Sequence, residues 1–224
     1  MHSSAPSDLV TPADKVITEL ISPERLTPYR TACAGDPEAA LALYCWNSEL
    51  AAAFFQQIGH LEIILRNALD ARLVLRQQRR GRTVEWYDDR SIRLGDRSRA
   101  DIDKACQRAG RRGGVPPRGK VIAELSFGFW RFLLARQHKS TLWPDLARAF
   151  PHASSGGRVA VENPVMQLHV LRNRIAHHES IWHLPLAGYR DNIQTVLGFI
   201  DPAVASWVAG TSRIDEVLDR RPGP

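Results

Sequence analysis

The chain has 224 residues, 44% apolar and 24% charged, which is the balance of one globular domain with appendages rather than a fibrous or disordered chain. Thirty basic side chains against 24 acidic ones leave a formal charge of +6. Cys33, Cys45 and Cys106, odd in number and widely spaced, argue against a disulfide framework or a Cys-rich zinc site and fit a reducing cytoplasm, and no run approaches the ~18 apolar residues of a membrane span.

Met1 to Asp14 is rich in Ser and Pro and lacks an apolar h-region, so no secretory signal is expected, and residues 1–20 read as a flexible N-terminal tail. Ser22-Pro23 and Thr27-Pro28 each place a capping side chain before a proline suited to a first helical turn. Gly35 followed by Asp36-Pro37 predicts one helix end and a new start, with a short helix to Tyr44. Asn47-Ser48 ahead of Glu49 predicts a second start. From there Leu50, Phe54, Ile58, Leu61, Leu65, Ala68 and Leu69 recur at three- and four-residue steps, an amphipathic helix ending near Gly81.

Asp96 to Ala109 reads as a polar helix closed by Gly110, and Gly110 to Gly119 is too rich in Gly and Pro for regular structure. Val121 to Gln137 reads as one helix carrying Phe127, Phe129, Trp130 and Phe132. The aromatics suit a core, with base stacking around Arg131 as the other use, and Gly128 suggests close helix packing. Pro144 to Phe150, a helix opening at Pro164, Tyr189 to Ile200 and Pro202 to Val208 complete the series. There is no strand-period alternation of useful length and no internal repeat. The expected fold is all-α: one domain over 21–209, with a C-terminal tail over 210–224.

The charge is concentrated. Arg76 to Arg118 holds 13 basic and 6 acidic residues, a net of +7, so the remainder sums to −1. A field of this kind attracts polyanions, which makes Arg79, Arg80, Arg111 and Arg112 candidate RNA contacts. The other reading of the basic segment, 76–119, is a solvated helix surface in an Arg-rich chain.

The residues that carry chemistry run from Leu171 to Glu179, LRNRIAHHE. Arg172 offers a planar fork of donors suited to a phosphate. His177 can move a proton near neutral pH. Asn173 can donate and accept at once and so fix a ring or a ribose hydroxyl. A phosphate clamp with a proton carrier is a minimal set for cleaving RNA by its own 2′-hydroxyl, without metal or other cofactor. His177 and His178 are adjacent and diverge by ~100° on a helix, and His169 lies eight residues away, so the metal reading is the weaker one. Arg174 is either a second phosphate contact or a solvated charge. His178 is an alternate proton carrier or a partner of Glu179. Trp182 is either core or a stacking wall.

RNRIAHH resembles the Arg-Asn-x-x-x-His signature of the HEPN superfamily. Together with LYCWN (43–47), LEIILRN (61–67), VIAELSFGFW (121–130) and Ile181-Trp182, in that order, the chain resembles the Abi-like abortive-infection proteins over about Ser22 to Ile200. The resemblance implies a HEPN-like helical bundle with additional helices, dimerising so that two Arg-x4-His motifs meet. It also implies a link to phage defence and toxin–antitoxin systems. In such families an acidic residue on an early helix supports the Arg-His pair, which singles out Glu62, with Arg66 on the same face and Asn67 beside it. The alternative for Glu62 is an ordinary intrahelical ion pair.

Three functions are therefore expected. The first is a metal-independent endoribonuclease acting in phage defence or as a toxin. The second is a non-catalytic protein that holds a structured RNA. The third is a protein-interaction half of a toxin–antitoxin pair. The expected partners are RNA, a second copy of the chain and an antitoxin or other regulatory protein, with no membrane.

Overall fold

The computed structural model describes residues 12–110, 116–153 and 157–223. Among them every regular element is helical: α1 (Pro12–Ile21), α2 (Pro23–Ala32), α3 (Pro37–Arg79), α4 (Asp96–Ala109), α5 (Arg118–Glu124), α6 (Phe127–Leu133), α7 (Trp143–Leu146), α8 (Gly157–Ala176), α9 (Leu186–Ile200), α10 (Pro202–Gly210) and α11 (Ile214–Asp219). Single 3-10 turns follow α6 at Arg136–His138 and α7 at Ala147–Ala149. None of the described helices is long and apolar enough to cross a membrane.

The chain divides into two compact units, residues 1–53 with 213–224, and residues 54–212. The described part of the segment expected as an N-terminal tail, and most of the one expected as a C-terminal tail, fall in the first unit, and each holds a helix. α1 occupies the second half of 1–20 and packs on α2. α11 lies within 210–224, where Ile214 and Val217, one turn apart, are both buried. The buried Trp46 indole N–H donates to the Val217 carbonyl (2.7 Å), and Arg220 pairs with Glu49 (2.8 Å). A short stretch expected as a C-terminal tail thus contributes core through two aliphatic side chains. The Asp36 carboxylate accepts the backbone N–H groups of Glu38 (2.9 Å) and Ala39 (3.1 Å), the expected cap of α3.

The expected second start at Asn47-Ser48 does not occur, and α3 is continuous from Pro37 to Arg79. The Ser48 hydroxyl donates back to the Tyr44 carbonyl (3.1 Å) instead of capping, and Asn47 is buried. Neither glycine nor proline interrupts the stretch between Tyr44 and Leu50, so helix propagation wins.

In the second unit Phe54, Ile58, Leu61, Leu65, Leu69 and Leu73 form one buried stripe along the rest of α3. α4 packs on α5, α6 on α8, α8 on α9, and α9 on α10. α4 has the expected bounds and ends at Gly110. The helix expected over Val121 to Gln137 is divided. Leu125 is extended (φ −74°, ψ 125°), and the Ser126 hydroxyl oxygen accepts the Phe129 N–H (3.3 Å), opening α6 afresh. A capping serine outweighs the apolar run around it. Phe127, Phe129 and Trp130 are buried, as a core role requires. α8 starts at Gly157, ahead of the expected Pro164, which is buried inside the helix. Arg158 anchors its first turn by donating to the Leu134 carbonyl (2.7 Å) and pairing with Glu162.

Much of the basic segment is tied down internally. Arg76 and Arg79 both bind Asp145 (3.1 and 2.6 Å). Arg99 donates to the carbonyls of Tyr87 (2.7 Å), Asp89 (2.8 Å) and Ile92. Arg118 binds both oxygens of the buried Asp70 (2.5 Å) and Glu85 (3.0 Å), while Asp70 also accepts the Trp86 indole N–H (2.8 Å). Arg76 and Arg79 thus tie α3 to α7, while Arg99 and Arg118 brace the chain between α3 and α5. Arg80, Arg82, Arg90, Arg93 and Arg97 remain exposed.

Candidate functional site

The motif sits at the C-terminal end of α8. Leu168, Leu171 and Ile175 point into the core, so the intervening turns leave His169, Arg172 and Asn173 half-buried at its margin. The helix closes in a Schellman turn: Glu179 N–H donates to the Arg174 carbonyl (2.8 Å) and His178 N–H to that of Ile175 (2.9 Å). His177 is the cap, its N–H bonded to the Asn173 carbonyl (3.0 Å), and its side chain is exposed. His178 takes the left-handed position (φ 56°) that glycine usually fills, at a cost of about 1 kcal/mol. His178 itself is exposed. Arg174 secures the turn by binding Glu179 (3.4 Å) and the Ser180 carbonyl (3.3 Å).

Glu62, on α3, is half-buried beside Arg172. Burial pushes its carboxyl pKa up. The Arg172 guanidinium, the nearby Phe127 backbone N–H and Arg66 pull it back down. Glu62 on α3 is thus within the electrostatic reach of Arg172 on α8 and of the first residue of α6. Arg66 turns its Nε to Asn67 Oδ1 (3.4 Å) while its charge still acts on Glu62, and Asn67 is exposed.

His169 belongs to this site, although its sequence context marks it only as a distant metal partner of His177. Its ring lies so close to α6 that a Cβ on Gly128 would stand 3.0 Å from Nε2, and it meets the Phe127 ring edge to face at 5.7 Å between centroids. Gly128 thus serves the close packing expected of it. The same Nε2 is 3.4 Å from Asn173 Nδ2. Burial lowers the His169 pKa, and the positive charges of Arg131, Arg172 and Arg97 lower it further, so the ring is neutral near pH 7. Arg131 is one turn beyond Gly128 on α6, and Arg172 one turn beyond His169 on α8. The contact of Gly128 with His169 thereby brings the two guanidinium groups to one crossing. The Nε atoms of Arg131 and Arg172 are buried without a hydrogen-bond partner among the described residues. His169 precedes Arg172 by three positions and Asn173 by four, and that helical spacing is the signal in the sequence that could have found it.

Of the other expected contacts, Arg79 and Arg80 are exposed, Arg79 being held by Asp145 (2.6 Å), and Arg111 and Arg112 lie outside the described residues. Trp182 is half-buried and meets His183 edge to face at 5.4 Å.

The arrangement is a margin of α8 with the guanidinium groups of Arg131 and Arg172, one carboxyl whose pKa burial raises, a carboxamide, a neutral imidazole and an exposed imidazole at the helix end. Such a set can bind a phosphodiester and move protons at it. No family model matches the chain, nor does any curated protein or solved structure.

Proposed function

We propose that the chain is a cytoplasmic, metal-independent endoribonuclease of the HEPN type, Abi-like, acting in phage defence or as a toxin. The observation that carries this reading is the gathering of Glu62, Arg131, Arg172 and Asn173 from three helices, beside an exposed His177. Arg172 would neutralise the phosphorane with its guanidinium charge, and Arg131 would add to the positive field there. Glu62 would hold Arg172 extended. Asn173 would orient the ribose, and His177 would carry a proton to or from the reacting oxygens. A second copy of the chain would bring a second Arg-x4-His set, supplying the base and the acid that one exposed imidazole cannot supply together. RNA is the substrate, and an antitoxin or other regulatory protein is the expected restraint.

The test is incubation of the purified chain, in chelator, with mixed structured and single-stranded RNA, followed by end-group analysis. Cleavage leaving 2′,3′-cyclic phosphate and 5′-hydroxyl ends is expected, with DNA left intact for want of the 2′-hydroxyl. Salt-sensitive RNA binding without cleavage would favour a protein that holds RNA, and absence of both would favour the protein-interaction reading.

A further inference from the structure

We propose that His169 is a positioning residue: its ring, seated on the bare backbone of Gly128, accepts the Asn173 side-chain N–H and so sets the direction of the Asn173 carbonyl oxygen. The inference deepens the ribonuclease reading and rests on it for its catalytic consequence. Three contacts define the seat. The ring meets Phe127 edge to face, lies where a Gly128 Cβ would stand 3.0 Å away, and has Nε2 at 3.4 Å from Asn173 Nδ2. An imidazole Nε2 can accept from an amide N–H only in the neutral ring with the proton on Nδ1.

The surroundings favour that form. Among the described residues, the charged groups acting on the ring are cations: Arg131 from α6, Arg172 from its own helix, and Arg97 from α4. With its N–H committed to His169, the carboxamide turns Oδ1 away from the ring, where a ribose hydroxyl could donate to it. Protonating His169 replaces the acceptor by a donor facing another donor, and adds a fourth positive charge beside three. The carboxamide must then rotate and Arg172 is pushed outward. Asn173 and Arg172 are therefore set by the protonation state of a residue that never touches substrate.

The experiment follows the His169 ring and the Asn173 side-chain amide by NMR through pH 5 to 8, in the full chain and in His177→Ala, so that the exposed ring does not contribute. The expected result is one shared midpoint, below the ordinary histidine value of about 6.5, that rises in Arg172→Ala. An Asn173 amide that does not respond to the His169 titration, or a ring that titrates at or above that value, overturns the proposal. This arm needs no RNA and decides the coupling even if the chain cleaves nothing, an outcome that would remove the ribonuclease reading by itself.

On RNA, His169→Phe keeps a ring but no acceptor and should lower kcat about tenfold or more. His169→Gln places Oε1 near the position of the original Nε2, and it should restore most of the rate while abolishing the acidic limb of the pH profile. Cleavage by the parent chain with the same acidic limb in His169→Gln overturns the positioning role.

Discussion

Replacing Gly128 by alanine probes the crossing of α6 and α8 most sharply, because two opposing effects act at one atom. The added methyl would stand 3.0 Å from His169 Nε2, inside the roughly 3.5–4.0 Å at which carbon meets a neighbour comfortably. The ring must give by a few tenths of an ångström, yet Phe127 and Asn173 hold it from other sides. Overpacking of this kind costs about 1–2 kcal/mol. Against it, alanine is favoured over glycine by up to about 1 kcal/mol within a helix, and by less at the second position of α6. The net expectation for Gly128→Ala is a loss of about 1 kcal/mol. In a His169→Ala background the obstacle is gone, and the same substitution should be neutral or stabilising. Urea unfolding of the four proteins gives the coupling directly, and about 1 kcal/mol or more is expected. Equal stabilisation by Gly128→Ala in both backgrounds would show that the close approach is not there.

Three further outcomes follow from the bracing of the basic segment and its charges. Asp70→Ala leaves the buried Trp86 indole N–H and Arg118 without their shared acceptor, and should destabilise by about 2–4 kcal/mol in chemical denaturation; a change under about 0.5 kcal/mol would contradict the network. The Asp89 carboxyl is held down to about 2, chiefly by the Ser91 hydroxyl and with help from Gln77. A lowered folded-state pKa means its stabilisation is complete above about 4 and disappears as pH falls toward 2. Unfolding midpoints at pH 5, 3 and 2 should therefore drop less in Asp89→Asn than in the parent chain. Reversing Arg80, Arg111 and Arg112 while sparing Arg79, which is held by Asp145, should weaken RNA binding with folding intact. The salt dependence should also flatten, by about 0.7 in log–log slope for each single-strand phosphate that the protein no longer neutralises.

Local signals make much of the fold legible in the sequence. Gly110 marks the end of α4, and the leucine stripe from Leu50 to Leu69 marks the buried face of α3. Competition between local signals is harder to read. Ser48 bonds backward along a helix instead of capping one, Ser126 caps where the aromatic run implies continuity, and Pro164 sits inside α8, whose start is anchored by Arg158. Charge can be counted but not paired: Arg79 meets Asp145, and Arg118 meets Asp70, through contacts far apart in the chain. At the site, Arg172, Asn173 and His177 stand out through their spacing, and Glu62 through the family resemblance. In sequence His169 shows only its distance from His177. Its place against Gly128 depends on α6 crossing α8, which no one-helix pattern contains.

The central claim concerns chemistry at Arg172 and His177, and one measurement addresses it: single-turnover cleavage of a defined RNA, in chelator, by the parent chain, Arg172→Ala, Arg172→Lys and His177→Ala. Loss of the phosphorane's charge partner should cost Arg172→Ala a few kcal/mol of transition-state stabilisation, roughly a hundredfold or more in rate. Lysine should recover only part of it, because a point charge lacks the guanidinium fork. His177→Ala should be inactive while still binding RNA. Cleavage by the parent chain only with added metal, or cleavage by His177→Ala at the parental rate, would contradict the account.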